Sequence, residues 1–127
     1  MILIDSDLAI DLFRGLPTAK AWFSTLSRDN LIVPGFVAME LVQGCGTKDK
    51  LRQVEEFLAE TVVIWPAEET CRHALSLLSK LRLSTGIGII DALIAQMALT
   101  LELPLHTFNS KHYASVPGLR LVQPYVR

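Results

Sequence analysis

The chain has 127 residues, 50% of them hydrophobic and 20% charged, so we expect one folded domain over residues 1–127 rather than a disordered protein. The formal net charge of −1 excludes a protein that grips nucleic acid by bulk electrostatics, so any phosphate contact needs local basic residues. No apolar run reaches the roughly 20 residues of a membrane span, which predicts no membrane association.

The predicted elements alternate between short apolar strands and amphipathic helices. A strand over 2–4 is followed by helices over 7–14 and 17–27, and a strand over 31–33 by helices over 36–42 and 48–60. A third strand over 62–65 precedes helices over 67–83 and 89–101, which are joined by a glycine-containing loop at 84–88. A fourth strand over 105–108, a turn or single helical turn over 109–113 and an edge strand over 119–122 complete the chain.

This alternation predicts an α/β fold in three layers. Strands separated by helices favour parallel pairing with right-handed crossovers. The strands are continuous apolar runs, which is typical of a sheet covered on both faces. We therefore expect a central, mostly parallel sheet of four to five strands flanked by helices.

Four polar positions interrupt otherwise apolar segments. Asp5 and Asn109 follow the apolar runs 2–4 and 105–108, and we expect Glu40 and Asp91 to lie early in apolar helices. Carboxylates rarely enter a core unless they are paired or bind a cation. Ligands of open α/β sheets bind beyond the carboxyl ends of the strands. The pattern predicts that all four meet at one edge of the sheet and that the acids share a divalent metal.

The motifs around these positions resemble those of PIN-domain ribonucleases, in particular the VapC toxins of toxin–antitoxin pairs. The matching segments, which follow the family's order along the whole chain, are 4–7 (IDSD), 39–44 (MELVQG), 90–95 (IDALIA) and 107–113 (TFNSKHY). The resemblance implies a PIN-like fold and a cytoplasmic endoribonuclease that hydrolyses RNA with Mg²⁺ or Mn²⁺. It also implies two protein partners, a cognate antitoxin and a second copy of this chain.

The resemblance assigns roles by position. Asp5, Glu40 and Asp91 match the metal-binding acids, and Asn109 matches a fourth catalytic position that is Asp in many members. Two hydroxyl residues, Ser6 and Thr107, match positions that orient the acids. Hard divalent cations prefer carboxylate oxygen, which fits these residue types. Clustered acids raise one another's pKa, so we expect metal to stabilise the fold.

Several residues have simpler interpretations. The acids could serve as a helix cap (Asp5), a solvent-facing helix residue (Glu40) and first-turn dipole compensation (Asp91). Asp7 is either a supporting residue of the site or a helix N-terminal acid, and Asp11 is expected at the surface. Basic candidates for RNA phosphate contact are Arg14, Lys48, Lys50, Lys111 and His112. We expect core positions for Trp22 and Trp65, structural positions for His73 and His106, and reduced, partly buried thiols for Cys45 and Cys71.

Two other functions compete with the ribonuclease. The segment Asp5-Ser6-Asp7 also resembles the nucleophile motif of haloacid-dehalogenase-like phosphatases, with Asp5 as nucleophile and Asp7 as acid/base, but Asp91 has no neighbouring acid. The second alternative is a catalytically weak PIN-like module that binds RNA or a protein, because Asn109 adds no charge. The mean hydropathy of +0.37 is consistent with buried oligomer surface.

Overall fold

Five parallel strands form one sheet at the centre of the computed structural model, which describes residues 1–127. The strands are β1 (Ile2–Ile4), β2 (Leu31–Pro34), β3 (Val62–Ile64), β4 (Leu105–His106) and β5 (Leu121–Val122). Their order across the sheet is β3-β2-β1-β4-β5, and every neighbouring pair is parallel. The predicted three-layer α/β architecture is confirmed.

Seven helices cover the sheet. They are α1 (Ser6–Phe13), α2 (Pro17–Ser24), α3 (Gly35–Gln43), α4 (Lys48–Glu60), α5 (Glu68–Thr85), α6 (Ile89–Leu101) and α7 (Ser110–Tyr113), with a 3₁₀ turn at Arg28–Asn30. The predicted first residues of α2 and α4 are confirmed. Pro17 begins α2, and the Thr47 hydroxyl accepts from the Lys50 amide at 3.1 Å and so caps α4. None of the seven helices combines the length and the hydropathy that a transmembrane helix requires.

The central strand β1 fixes the edge at which the polar residues meet. Leu3 lies opposite Ile32 of β2 on one side and opposite Leu105 of β4 on the other, and all three side chains are buried. Burying a side chain of this size contributes about 1.5–3 kcal/mol each. Because β1 and β4 are parallel neighbours, the residues that follow them emerge side by side.

A glycine turn aims the start of α6 at the same edge. Gly86 ends α5 with φ +74°, a left-handed conformation that L side chains rarely adopt. The Arg82 guanidinium donates to the carbonyls of Gly86 and Ile87 at 2.7 and 3.1 Å, which fastens the turn to α5. The chain then enters α6 with Asp91 in its first turn, as the glycine-containing loop predicts.

Four sequence predictions are wrong. Trp65 is 57% exposed rather than in the core, because it follows β3, an edge strand. His73 lies on the exposed face of α5 and fills no structural position. Asp11 is only 8% exposed, because the chain's last residues return to pair with it. Glu40 is the sixth residue of α3 rather than an early one, so its helix reaches past the strand ends.

Candidate functional site

Asp5 lies at the carboxyl end of β1, where it caps α1 and is buried. Its Oδ1 accepts from the Ser6 amide at 2.7 Å, which caps α1, and its Oδ2 accepts from the Thr107 hydroxyl at 2.9 Å. The side chain is 4% exposed. Burial, and then the negative charge of Asp7, raise the pKa of Asp5 to about 6. The capping interpretation is therefore correct but incomplete, since a cap alone needs no burial.

Asp7 lies in the first turn of α1 and faces the residues that follow β4. Its Oδ2 accepts from the Phe108 amide at 2.8 Å and lies 3.3 Å from the Thr107 hydroxyl, whose single proton is closer to Asp5. Its Oδ1 is buried without a hydrogen-bond partner. Burial raises the pKa of this carboxyl group. Asp7 is thus both a first-turn helix acid and a supporting residue of the site.

Asp91 is held by contacts on both of its carboxylate oxygens. Oδ2 accepts from the Gly88 amide at 3.3 Å and lies 2.9 Å from His112 Nδ1. Oδ1 accepts from the Tyr113 hydroxyl at 3.2 Å. The Gly88 contact is the capping role expected for an acid in the first turn of α6. The contacts to α7 go beyond that role and connect Asp91 to the segment after β4.

Glu40 is the least constrained acid of the set. Its side chain is exposed and makes no hydrogen bond or ion pair, in agreement with the simpler interpretation of a solvent-facing helix residue. Partial burial of the carboxyl group, and then the negative charge of Asp91, nevertheless raise the pKa of Glu40. No hydrogen bond or ion pair fixes the Glu40 carboxylate, so this side chain is free to reorient.

Asn109 and His112 connect Thr107 to Asp91. The backbone amide of Asn109 donates to the Thr107 hydroxyl oxygen at 3.0 Å, and the side-chain Nδ2 of Asn109 lies 3.0 Å from His112 Nδ1. His112 Nδ1 can donate to Asp91 or accept from Asn109, but not both at once, so its protonation decides which partner it holds. Asn109 contacts neither Asp5 nor Asp91 directly.

The acidic side chains of the site are suitable ligands for a divalent cation, but their present positions do not bring them together around one ion. Carboxylates with raised pKa values and a buried carboxylate oxygen without a donor are what a bound cation would satisfy. No group of three or more His, Cys, Asp or Glu side chains is arranged to hold a metal as they stand. Asp5 and Asp7 share the Thr107 hydroxyl, whereas Asp91 is held by His112 and Tyr113 and Glu40 makes no hydrogen bond. Side-chain rotation, above all of Glu40, is needed to bring these acids onto one ion.

The basic candidates are distributed unevenly around the acids. Arg14 and Lys50 line a groove of about 270 Å³ between α1, α3 and α4, and Glu40 lies on the same groove. Lys111 is exposed on α7 beside the half-buried His112. Lys48 is exposed at the start of α4 and does not line the groove. Arg14, Lys50 and Lys111 therefore lie near the predicted acids, and Lys48 is the outlying member.

One residue of the site has a role that the sequence did not reveal. Tyr113 is buried, and its hydroxyl donates to Asp91 Oδ1 at 3.2 Å and lies near Asp5. Burial, and then the charges of both carboxylates, hold the pKa of Tyr113 far above its ordinary value. Local periodicity assigns such a tyrosine to the core. Only its spacing of four residues from Asn109, across one turn of α7, indicates that it faces the same edge.

Comparisons with known proteins agree with this geometry. The PIN domain family model matches residues 2–118. The chain is similar to ribonuclease VapC10 of Mycobacterium tuberculosis, with 34% identity over 122 residues that cover 94% of this chain and 91% of that protein. It is 30% identical to ribonuclease VapC19 of the same organism, covering 94% of this chain and 98% of that protein. It also resembles VapBC-1 from nontypeable Haemophilus influenzae, with a TM-score of 0.76, 26% identity and coverage of 96% and 97%.

Proposed function

The chain belongs to the PIN domain family, and we propose that it is a metal-dependent endoribonuclease, the toxin of a toxin–antitoxin pair. The ribonuclease relatives confirm the predicted class of function. Membership of this family sets aside the phosphatase alternative that Asp5-Ser6-Asp7 suggests. The observation that carries the proposal is that Asp5 follows the carboxyl end of β1, while Asp91 is held by the segment that follows the neighbouring strand β4.

Asp5, Asp91 and Glu40 are the residues proposed to hold Mg²⁺ or Mn²⁺. A bound divalent cation lowers the pKa of a coordinated water and offsets charge on the attacked phosphate. The protein's own contribution is placement: Ser6 and Thr107 orient Asp5, and His112 and Tyr113 orient Asp91. Asn109 offers a neutral amide that can orient a water or a substrate oxygen without adding charge.

Basic residues near the acids supply the phosphate contacts that the net charge of −1 cannot. Arg14 and Lys50 on the groove, with Lys111 on α7, are the proposed contacts to the RNA backbone. They flank Glu40 and Asn109, so a strand bound along them passes the carboxylates. Such contacts position the RNA and carry no sequence information by themselves.

The groove between α1 and α4 is the proposed binding place of a cognate antitoxin. Apolar side chains of Ile10, Phe13, Leu41 and Val54 line it beside Arg14, Lys50 and Glu40. An amphipathic segment can bury apolar residues there while meeting the charges at the rim. A toxin–antitoxin complex from Klebsiella pneumoniae contains a protein of the same fold, with a TM-score of 0.80 and 24% identity. A segment in this groove would also cover Glu40 and block the site.

A second copy of the chain is the proposed partner of an apolar patch formed by Phe36, Met39, Val42 and Trp65. Met39 and Trp65 are each 57% exposed, and the rings of Phe36 and Trp65 lie 6.0 Å apart. We expect Met39→Glu to convert a dimer to a monomer in analytical ultracentrifugation, whereas Leu83→Glu on α5 leaves it intact. A dimer that survives Met39→Glu contradicts this assignment.

The proposed location of the protein is the cytoplasm, because its proposed RNA substrate is there.

The proposed activity is tested by RNA cleavage with the chain purified free of any antitoxin. We expect cleavage with Mn²⁺ or Mg²⁺, none with EDTA, and a loss of about 100-fold or more in Asp5→Asn and Asp91→Asn. Asp49→Asn is the control, because Asp49 is exposed on α4 and pairs only with neighbours on that helix. RNA binding without cleavage under all metal conditions would favour the alternative of a catalytically weak binding module. Cleavage that persists in Asp5→Asn and Asp91→Asn would contradict the site.

A further inference from the structure

Tyr113 lies beside two acids that come from different parts of the fold. It is the last residue of α7 and is 1% exposed, the largest of the fully buried side chains. Its hydroxyl donates its one proton to Asp91 Oδ1 at 3.2 Å and lies near Asp5 without a hydrogen bond to it. Asp5 follows β1 and Asp91 lies in the first turn of α6, so this hydroxyl lies beside both the strand end and the helix start.

The hydroxyl is the only hydrogen-bond donor to Asp91 Oδ1. The other oxygen of Asp91 has the Gly88 amide and His112, and both oxygens of Asp5 have donors from Ser6 and Thr107. Without this hydroxyl, Asp91 Oδ1 would have no hydrogen bond, while Oδ2 would keep both of its contacts.

Resting on the proposed metal-dependent function, we propose that the Tyr113 hydroxyl is a positioning group that turns Asp91 Oδ1 toward Asp5, so that both carboxylates face one divalent cation. A carboxylate oxygen has two lone pairs, and accepting one hydrogen bond leaves the other pair for the ion. Donors to metal-ligating carboxylates commonly matter about 10- to 100-fold in metal affinity. The phenol ring fills the core below the site, and only its oxygen acts on the acids.

Tyr113→Phe tests this proposal because it removes the oxygen and keeps the ring. The matched control is Tyr125→Phe, since the Tyr125 hydroxyl also donates to a buried acid, Asp11, at 2.9 Å, and Asp11 is not among the proposed metal ligands. Isothermal titration with MnCl₂ measures affinity in both variants, and urea unfolding without metal measures stability. We expect Mn²⁺ to bind Tyr113→Phe about tenfold or more weakly, with Tyr125→Phe unchanged. A merely structural hydroxyl would lower stability without this difference in affinity.

The outcomes separate this inference from the proposed function. If wild type binds Mn²⁺ and Tyr113→Phe binds it equally well or better, the positioning role is overturned and the metal-dependent function stands. If both variants lose affinity equally, general loosening explains the result and the positioning role is again overturned. If wild type binds no Mn²⁺, the metal dependence fails and this inference fails with it.

Discussion

Replacing Asp5 with asparagine should stabilise the metal-free protein at neutral pH, although it removes a residue of the site. Burial and Asp7 raise the pKa of Asp5 from 3.8 to about 6. Between these two values the folded state keeps a proton that the unfolded state has lost. Stability therefore falls as the pH rises from about 4 to about 6 and stays reduced at higher pH. Asparagine is close in shape and has no charge to desolvate.

The magnitude follows from the size of the shift. A pKa rise from 3.8 to about 6 corresponds to a cost of about 3 kcal/mol for the ionised carboxylate above pH 6. The asparagine can keep the Ser6 contact at Oδ1 but loses the charged acceptor of the Thr107 hydroxyl, a loss of about 1 kcal/mol. The net expected gain for Asp5→Asn is about 2 kcal/mol at pH 7.5 and none at pH 4.

Urea unfolding in EDTA at pH 4 and pH 7.5 measures this difference. Asp49→Asn is the control, since Asp49 is exposed and should show no pH-dependent gain. The reasoning is refuted if Asp5→Asn is no more stable than wild type at pH 7.5, or if its gain is the same at both pH values. The same substitution is expected to abolish RNA cleavage, so stability and activity should change in opposite directions.

Three further predictions concern the metal, the chain's end and the RNA. Mn²⁺ at 100 times its dissociation constant should stabilise the fold by about 2.7 kcal/mol, read as a rise in the urea midpoint that EDTA reverses; an unchanged midpoint counts against binding. Arg127→Ala should cost about 1–3 kcal/mol in urea unfolding, because buried Asp11 loses two charge-assisted hydrogen bonds at 2.9 and 3.3 Å; unchanged stability contradicts this. Arg14→Ala should weaken RNA binding and reduce its salt dependence by about one ion, whereas Lys80→Ala on α5 should not; equal effects contradict the groove assignment.

The sequence predicted the sheet and the helices well, because their signals are local. Continuous apolar runs marked the strands, and α6 was predicted with its observed limits, Ile89–Leu101. Strand ends were predicted too long: residues 107 and 108 leave β4 to approach Asp5 and Asp7. The Thr107 amide still donates to the Val122 carbonyl at 3.0 Å, but the Thr107 hydroxyl and the Phe108 amide donate to Asp5 and Asp7, and periodicity does not reveal these contacts.

The sequence predicted most residues of the candidate site but not the hydrogen bonds between them. Asp5 and Asp91 were identifiable because an acid in an apolar segment needs an explanation. The role of Tyr113 was missed, because an aromatic residue in a short helix is usually core. The burial of Asp11 was missed for a different reason, since its partners Tyr125 and Arg127 lie more than 100 residues along the chain. Contacts at such separations follow from the assembled fold and leave no local pattern.

The central claim is that the acids at the carboxyl edge of the sheet form one metal centre. Anomalous diffraction from crystals soaked in MnCl₂ tests it most directly, because the scattering locates the ion without reference to activity. We predict one anomalous peak in contact with carboxylate oxygens of Asp5 and Asp91, with the Glu40 side chain turned toward it. Mn²⁺ bound elsewhere in the crystal, with no peak between Asp5 and Asp91, would contradict the account.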